Sequence, residues 1–211
     1  MTAPPATAIV LAGGRSSRFG GDKLVAELDG RPLLAHAIAG VAPAVREIVV
    51  VLSPDGAEPL LDGATDLPIR FARDADEGRG PLAGLAAGLA AAREPLAIVV
   101  GGDQPSLVPA LLVEMLRHLA PGAIVPLDAM ALEEGSRIRP LPCALRVAPA
   151  RSAASVALAL GGGSLIRFLG RLRLGILTPD RWQAIDPHGE SLRDVDHPDD
   201  MRTTGNVAHE P

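Results

Sequence analysis

The run Ala8-Ile9-Val10-Leu11-Ala12 is rich in β-branched residues, wholly apolar, and stops at Gly13-Gly14. That stop constrains the fold more than any other feature. An apolar run with no polar alternation suits a strand covered on both faces, the condition of a central parallel strand. Residues 33–41, preceded by Pro32, are almost continuously apolar and predict a helix, and residues 47–52 (EIVVVL) form a second continuous β run. Strand, helix and strand make one crossover unit. Further strands are predicted at 69–72, 96–101, 123–126, 143–147 and 174–178, with helices at 82–93, 107–119, 148–160 and 165–172. Right-handed crossovers stack such helices on both faces of one sheet. The expected fold is therefore α/β, a Rossmann-like three-layer α/β/α sandwich with a mostly parallel sheet, its ligand crevice beyond the carboxyl ends of the strands.

Length and composition narrow the function classes. With 211 residues and 47% hydrophobic content the chain can bury a real core. No repeat or composition break divides it, so one domain is expected over residues 1–203, with 204–211 as a disordered tail. Residues 127–140 read as polar and irregular. The balance of 25 acidic against 20 basic residues, with no Tyr, one Trp and three Phe, argues against a nucleic-acid partner. The one cysteine, Cys143, cannot close an internal disulfide, which suits a reducing compartment, and the cytoplasm is the expected location. The first residues lack a basic stretch, and the run at 8–12 is too short for a signal peptide or a membrane span, so neither export nor a membrane is expected.

Residues 11–23 (LAGGRSSRFGGDK) follow the first strand and pack four glycines, two arginines and a lysine into thirteen positions. A glycine-rich backbone can turn its N–H groups toward one anion and so cradle phosphates. Arg15 and Arg18 can fork onto phosphate oxygens, and Lys23 can set a compact ammonium on them. The chain uses arginine 19 times and lysine once. A lone ammonium in this loop points to a site needing a point charge; the plainer account is a solvated turn. No Ser or Thr follows Lys23, and the GxGxxG order is missing, so neither the Walker A nor the dinucleotide fingerprint applies.

Two aspartates stand at predicted strand ends. Asp103, in Gly101-Gly102-Asp103-Gln104-Pro105, suits a hard divalent ion bridging ligand phosphates; it equally suits an N-cap or turn before the next helix. Asp74 follows the strand at 69–72 and precedes Gly80-Pro81-Leu82-Ala83-Gly84, where it can accept from a ribose or base, or simply belong to a charged loop with Arg73, Asp76, Glu77 and Arg79. Near the end, Asp194-Val195-Asp196 suggests a short strand, and Asp196 is a candidate to complete a metal site. Asp199 and Asp200 better fit the first turn of a helix opened by Pro198. His36 and His118 lack metal-ligand spacing, and Cys143 reads as a buried small hydrophobe. Gly161-Gly162-Gly163-Ser164 suits either an anion or a helix-to-helix turn.

Together these residues resemble the molybdenum cofactor guanylyltransferase (MobA-like) family of nucleotidyltransferases, along almost the whole chain. Leu11-Ala12-Gly13-Gly14, Arg18 and Asp22-Lys23 look like its signature loop. Asp74 falls on its nucleotide-binding aspartate, and Asp103 on its magnesium aspartate. Arg139-Pro140-Leu141 with Ala144-Leu145 looks like its late strand entry, and residues 194–198 resemble its terminal Asn-x-Asn-Thr-Pro stretch. Three positions depart from the pattern: Phe19 replaces the usual methionine, Leu52 stands near where some members carry a nucleotide-contacting asparagine, and His197 replaces threonine. Gly102-Asp103-Gln104-Pro105 also resembles the sister cytidylyltransferases, although those usually carry Leu-Ala-Ala-Gly at the first loop.

The resemblance implies a nucleotide-diphospho-sugar transferase type of fold and the transfer of GMP from MgGTP to the phosphate of molybdenum-molybdopterin, with release of pyrophosphate. It implies Mg²⁺ as cofactor with Asp103 as ligand, and Asp196 stays the candidate that would complete the metal site. Lys23, Arg18 and Asp103 would serve the chemistry, and Leu11, Ala12, Gly13, Gly14, Arg15, Lys23, Asp74 and Asp103 would bind nucleotide. A monomer is expected, in contact with molybdenum insertion or molybdoenzyme maturation proteins. The alternatives are the same chemistry with CTP, transfer to another small phosphate, and a non-catalytic GTP-binding sensor or assembly partner.

Overall fold

The computed structural model describes residues 4–13, 26–61, 63–74, 80–122, 125–195 and 200. β1 (Ala6–Leu11) is an interior strand, third of seven, in a seven-stranded sheet. A two-stranded hairpin follows it in the chain, β2 (Glu27–Leu28) with β3 (Arg31–Pro32), turned by Asp29 and Gly30, both at positive φ. This Asp-Gly pair favours a tight two-residue turn, and it leads directly into α1 (Leu33–Val41). Then come β4 (Glu47–Leu52), β5 (Ile69–Arg73), α2 (Pro81–Ala91), β6 (Leu96–Gly101) and α3 (Pro109–Arg117). The second half contains β7 (Ala129–Glu134), β8 (Arg137–Arg146), α4 (Val147–Ala159), α5 (Leu165–Leu169), β9 (Leu174–Leu177) and α6 (Pro179–Trp182).

The sheet order is β5-β4-β1-β6-β8-β7-β9. β8 runs antiparallel to both its neighbours, and every other pairing in this sheet is parallel. Side-chain alternation divides the core. Ala8, Val10, Ile48, Val50, Ile98 and Val100 face one side, where Leu34 and Ile38 of α1 and Leu111, Leu112 and Met115 of α3 meet them. Ile9, Val49, Val51 and Val99 face the other, against Leu82, Leu85 and Leu89 of α2, Ala150 and Ala154 of α4 and Phe168 of α5. Every residue of β4 and β6 is buried. This is the three-layer sandwich that the continuous apolar runs predict. Among the described residues no helix is long and apolar enough to cross a membrane.

Three expectations need correction. Residues 127–140 are not irregular: they supply β7, a tight turn with Gly135 at φ +61°, and the first part of β8. Small or flexible side chains such as Ala129, Met130 and Ala131 have little strand propensity, yet all three are buried between β8 and β9. The strand predicted at 123–126 does not form where it is described, because Val125 and Pro126 lie outside any strand and Val125 is exposed. Val147 begins α4 instead of ending a strand, and its N–H donates to the carbonyl of Pro95. The proposed tail at 204–211 lies outside the described residues.

At the opposite end of the sheet from the strands' carboxyl termini, Glu47 is buried and fully engaged. It accepts from the Thr7 hydroxyl (2.7 Å), the Arg93 N–H (2.9 Å) and the Arg70 guanidinium (2.8 Å). Burial pushes its carboxyl upward, but these donors together outweigh burial and hold it below the usual glutamate range. A depressed folded-state pKa gives stability that is complete above the unfolded value of about 4.3 and lost as pH falls through the folded value. Glu47→Gln is therefore expected to destabilise the fold by about 1.5–3 kcal/mol at pH 7. Urea unfolding at pH 7 and at pH 3.5 checks this, with a narrowing gap to wild type expected at the lower pH; an equal gap at both would contradict the account.

Candidate active site

The carboxyl ends of β1, β4, β5 and β6 form one edge, and short backbone bonds stitch their exits together. The Ala12 N–H donates to Val51 O (2.8 Å), the Asp74 N–H to Leu52 O (2.9 Å) and the Gly102 N–H to Leu11 O (3.0 Å). Leu11, Ala12, Gly13, Asp74 and Asp103 are thus collected at one edge from separate parts of the chain. Gly13 is exposed, and a Cβ there would lie 3.2 Å from the Ser53 nitrogen. The glycine lets the exits of β1 and β4 approach each other closely. Gly14, Arg15, Arg18 and Lys23 lie outside the described residues, as does Asp196.

Asp74 is half-buried at the end of β5 and faces the first turns of α2. A Cβ on Gly84 would sit 3.7 Å from its carboxylate Oδ2. The start of α2 is built with Gly80 at φ +77°, where a Cβ would come within 2.9 Å of Gly163 O, and the Leu82 N–H donates to that same carbonyl (3.3 Å). Residues 161–164 are therefore a helix-to-helix turn docked on the start of α2. Ser164 caps α5 by accepting from the Arg167 N–H. Of the two readings of this glycine run, the plain turn fits.

Asp103 sits in the turn that ends β6. Its carboxylate folds back over Gly101, where a Cβ would collide with Asp103 Oδ1, so glycine at that point leaves the carboxylate room in this orientation. The N-cap alternative does not describe Asp103: α3 is preceded by Val108 without a side-chain cap, and the Val108 N–H donates to Ser191 Oγ (2.9 Å). The turn is braced by Gln104, 1% exposed, whose Oε1 accepts from the Gly101 N–H (2.8 Å) and whose Nε2 donates to Asp194 Oδ1 (3.0 Å). Arg139 Nη2 donates to Asp194 Oδ2 (2.7 Å) and to Leu192 O (2.9 Å). The Val195 N–H donates to Asp103 O (3.0 Å). Residues 194–195 form no strand, but they lie across the Asp103 turn. Burial lifts the Asp194 carboxyl above the ordinary carboxylate range, and the neighbouring Asp103 charge adds to this; Arg139 and Gln104 pull downward without cancelling it.

Asp103 fits a magnesium site of one kind. Among the described residues no group of three or more His, Cys, Asp or Glu side chains could hold a metal by itself, and both Asp194 oxygens are already engaged. Mg²⁺ commonly uses one or two carboxylates, retains waters and takes its other ligands from substrate phosphates. One carboxylate at a strand end suits that arrangement and would not suit an all-protein cage.

The remaining sequence candidates have structural roles. His36 Nε2 bonds to Leu28 O (2.7 Å), and His118 lies 3.4 Å from Glu114 Oε1 at the end of α3. Burial pushes the Cys143 thiol up to about 12, which removes it as a nucleophile near neutral pH. Gln104 and Arg139 are the contributors that sequence reading missed. Both stand in stretches quoted above, but their contacts span 90 and 55 residues to Asp194, so local spacing holds no trace of these roles.

A glycine-turned strand exit and two strand-end aspartates on a largely parallel sheet suit a nucleotide-binding α/β domain. The family model described as a MobA-like NTP transferase domain matches residues 8–174, and the chain belongs to that family. The chain is 34% identical over 201 residues to a protein of Chloroflexus aggregans named probable molybdenum cofactor guanylyltransferase, covering 92% of this chain and 90% of the relative. It is 37% identical over 122 residues to the molybdenum cofactor guanylyltransferase of Pseudomonas paraeruginosa, covering 54% and 56%. The crystal structure of molybdopterin-guanine dinucleotide biosynthesis protein A from Archaeoglobus fulgidus superposes with TM-score 0.77 at 21% identity, over 95% of this chain and 97% of that one. The 2-C-methyl-D-erythritol 4-phosphate cytidylyltransferase of Thermus thermophilus superposes with TM-score 0.66 at 20% identity, over 95% and 97%. At these identities the two structures speak for the fold alone.

Proposed function

We propose that this protein transfers GMP from MgGTP to the terminal phosphate of molybdenum-molybdopterin and releases pyrophosphate. The observation that carries the reading is the gathering of Leu11, Ala12, Gly13, Asp74 and Asp103 at one carboxyl edge, in a chain 34% identical over most of its length to a probable molybdenum cofactor guanylyltransferase. The Gly13-Gly14 backbone cradles the triphosphate, and Asp74 accepts from a ribose hydroxyl. Arg15, Arg18 and Lys23 bind the phosphates. Asp103, with Asp196 as the second candidate ligand, would hold Mg²⁺, which would supply charge neutralisation for the phosphates.

The reaction is an in-line displacement. An oxygen of the acceptor phosphate forms a bond to the α-phosphorus of GTP, and the bond from that phosphorus to the bridging oxygen breaks, its electron pair leaving with pyrophosphate. A phosphate monoester has a second pKa of about 6, so near neutral pH the acceptor is already largely dianionic and needs little general-base help. The work of the site is to bring two anions together. Lys23 and Arg18 offset charge that builds toward the leaving group. The protein acts as a single domain over residues 1–203, as a cytoplasmic monomer that hands its product to molybdenum insertion or molybdoenzyme maturation proteins.

Competition tests the base and the acceptor together. With equimolar GTP and CTP, Mg²⁺ and molybdenum-molybdopterin, mass analysis is expected to find the guanine dinucleotide as the main product. A cytosine product would reassign the donor, and no dinucleotide at all would overturn the reading.

A further inference from the structure

We propose that Arg139, Asp194 and Gln104 form a positioning relay that fixes the Asp103 carboxylate for a metal-bound nucleotide; this rests on the functional reading above. The relay starts on β8. One terminal nitrogen of Arg139 donates to both Asp194 Oδ2 and Leu192 O, holding residues 192–194 by a side chain and by the backbone. The second oxygen of Asp194 receives the Gln104 amide N–H, and the opposite end of that amide accepts from Gly101. Gln104 Nε2 also lies 3.5 Å from Ser191 O, so both ends of a buried amide are used and its orientation is fixed. Gly101 and Gln104 close the turn in which Asp103 sits, and the Val195 N–H takes the Asp103 carbonyl. Asp103 is thus set from β1, from its own turn and from the segment that Arg139 clamps.

This geometry separates two roles for Arg139. An arginine beside a phosphate-handling edge would ordinarily be read as a phosphate ligand. Here Nη2 is committed to Asp194 and Leu192 and Nε lies 3.7 Å from Glu134 Oε2, and the Nη2 contacts assign Arg139 to position Asp103 through intermediates. Groups that hold a metal-binding side chain in place typically change metal affinity by about 10- to 100-fold when removed. A side chain that only stabilised the fold would lower the melting temperature and leave metal-dependent binding alone.

The test is calorimetric titration of GTP into the intact protein, once with Mn²⁺ and once with EDTA, the ratio of the two affinities reporting the metal's share. For Arg139→Met the ratio is expected to fall about tenfold, with metal-free GTP affinity unchanged and Arg139→Lys recovering part of the loss. Gln104→Met, which removes both amide bonds at constant charge, is expected to behave as Arg139→Met does and carries the test if the latter does not fold. A ratio that stays at the wild-type value in both variants overturns the relay. So does an equal fall in metal-free affinity, which would mark general damage to the pocket, or a rise in acceptor KM with the metal ratio intact, which would make Arg139 an acceptor ligand. If wild type itself has no metal-dependent tightening, or Asp103→Asn leaves the ratio unchanged, the functional reading fails instead.

Discussion

Asp103→Asn is expected to lower turnover by about 10²- to 10³-fold and to abolish its response to magnesium. Asparagine keeps the shape that lies over Gly101 and removes only the charge. The bonds that hold the turn, from Val195 to the Asp103 carbonyl and between Gly101 and Gln104, do not use the carboxylate. Those bonds remain in the variant, so the turn is expected to persist while the chemistry is lost. Initial rates across a magnesium titration, alongside a melting curve, check both halves. A variant with the wild-type metal titration would remove Asp103 from the metal site.

Lys23→Ala is expected to cost a comparable factor, about 10²- to 10³-fold in turnover, with a smaller effect on GTP binding. The reason is where the charge goes. Substrate phosphates are already charged when they bind, but negative charge shifts toward the departing pyrophosphate as the bond to the α-phosphorus breaks, and a point cation there acts most strongly in the transition state. Arg15 and Arg18 stand in the same glycine-rich stretch of sequence, so Lys23→Arg tests whether a compact ammonium matters: on the proposed role it is expected to rescue only a small part of the rate, because a guanidinium spreads its charge over a planar fork. Near-normal turnover in Lys23→Ala, measured as kcat at saturating GTP, would contradict the role.

Much of the scaffold was legible in the chain because the central strands are covered on both faces. β1, β4 and β6 are continuous apolar runs, and the exits of β1 through Gly13 and of β6 through Gly101, Gly102 and Asp103 mark the candidate edge in the sequence itself. Residues 127–140 were not legible. Their strand character comes from burial between β8 and β9, where Ala129 and Ala131 are completely covered and Asp128 is neutralised by two bonds from Arg173 (2.7 and 2.8 Å). Local propensity does not encode such a tertiary environment. The site divides in the same way. Asp74 and Asp103 announce themselves by standing at strand ends, whereas Gln104 and Arg139 acquire their roles only when the segment at 191–195 folds back over the edge. Asp194 was visible as part of a terminal acidic motif, but its partners were not.

The most direct measurement is pyrophosphate release from MgGTP by the wild-type protein, followed against time with and without molybdenum-molybdopterin. The account predicts release that requires the acceptor and matches it mole for mole until the acceptor is consumed. A protein that binds MgGTP and releases no pyrophosphate when the acceptor is present, or releases it equally without the acceptor, would contradict it.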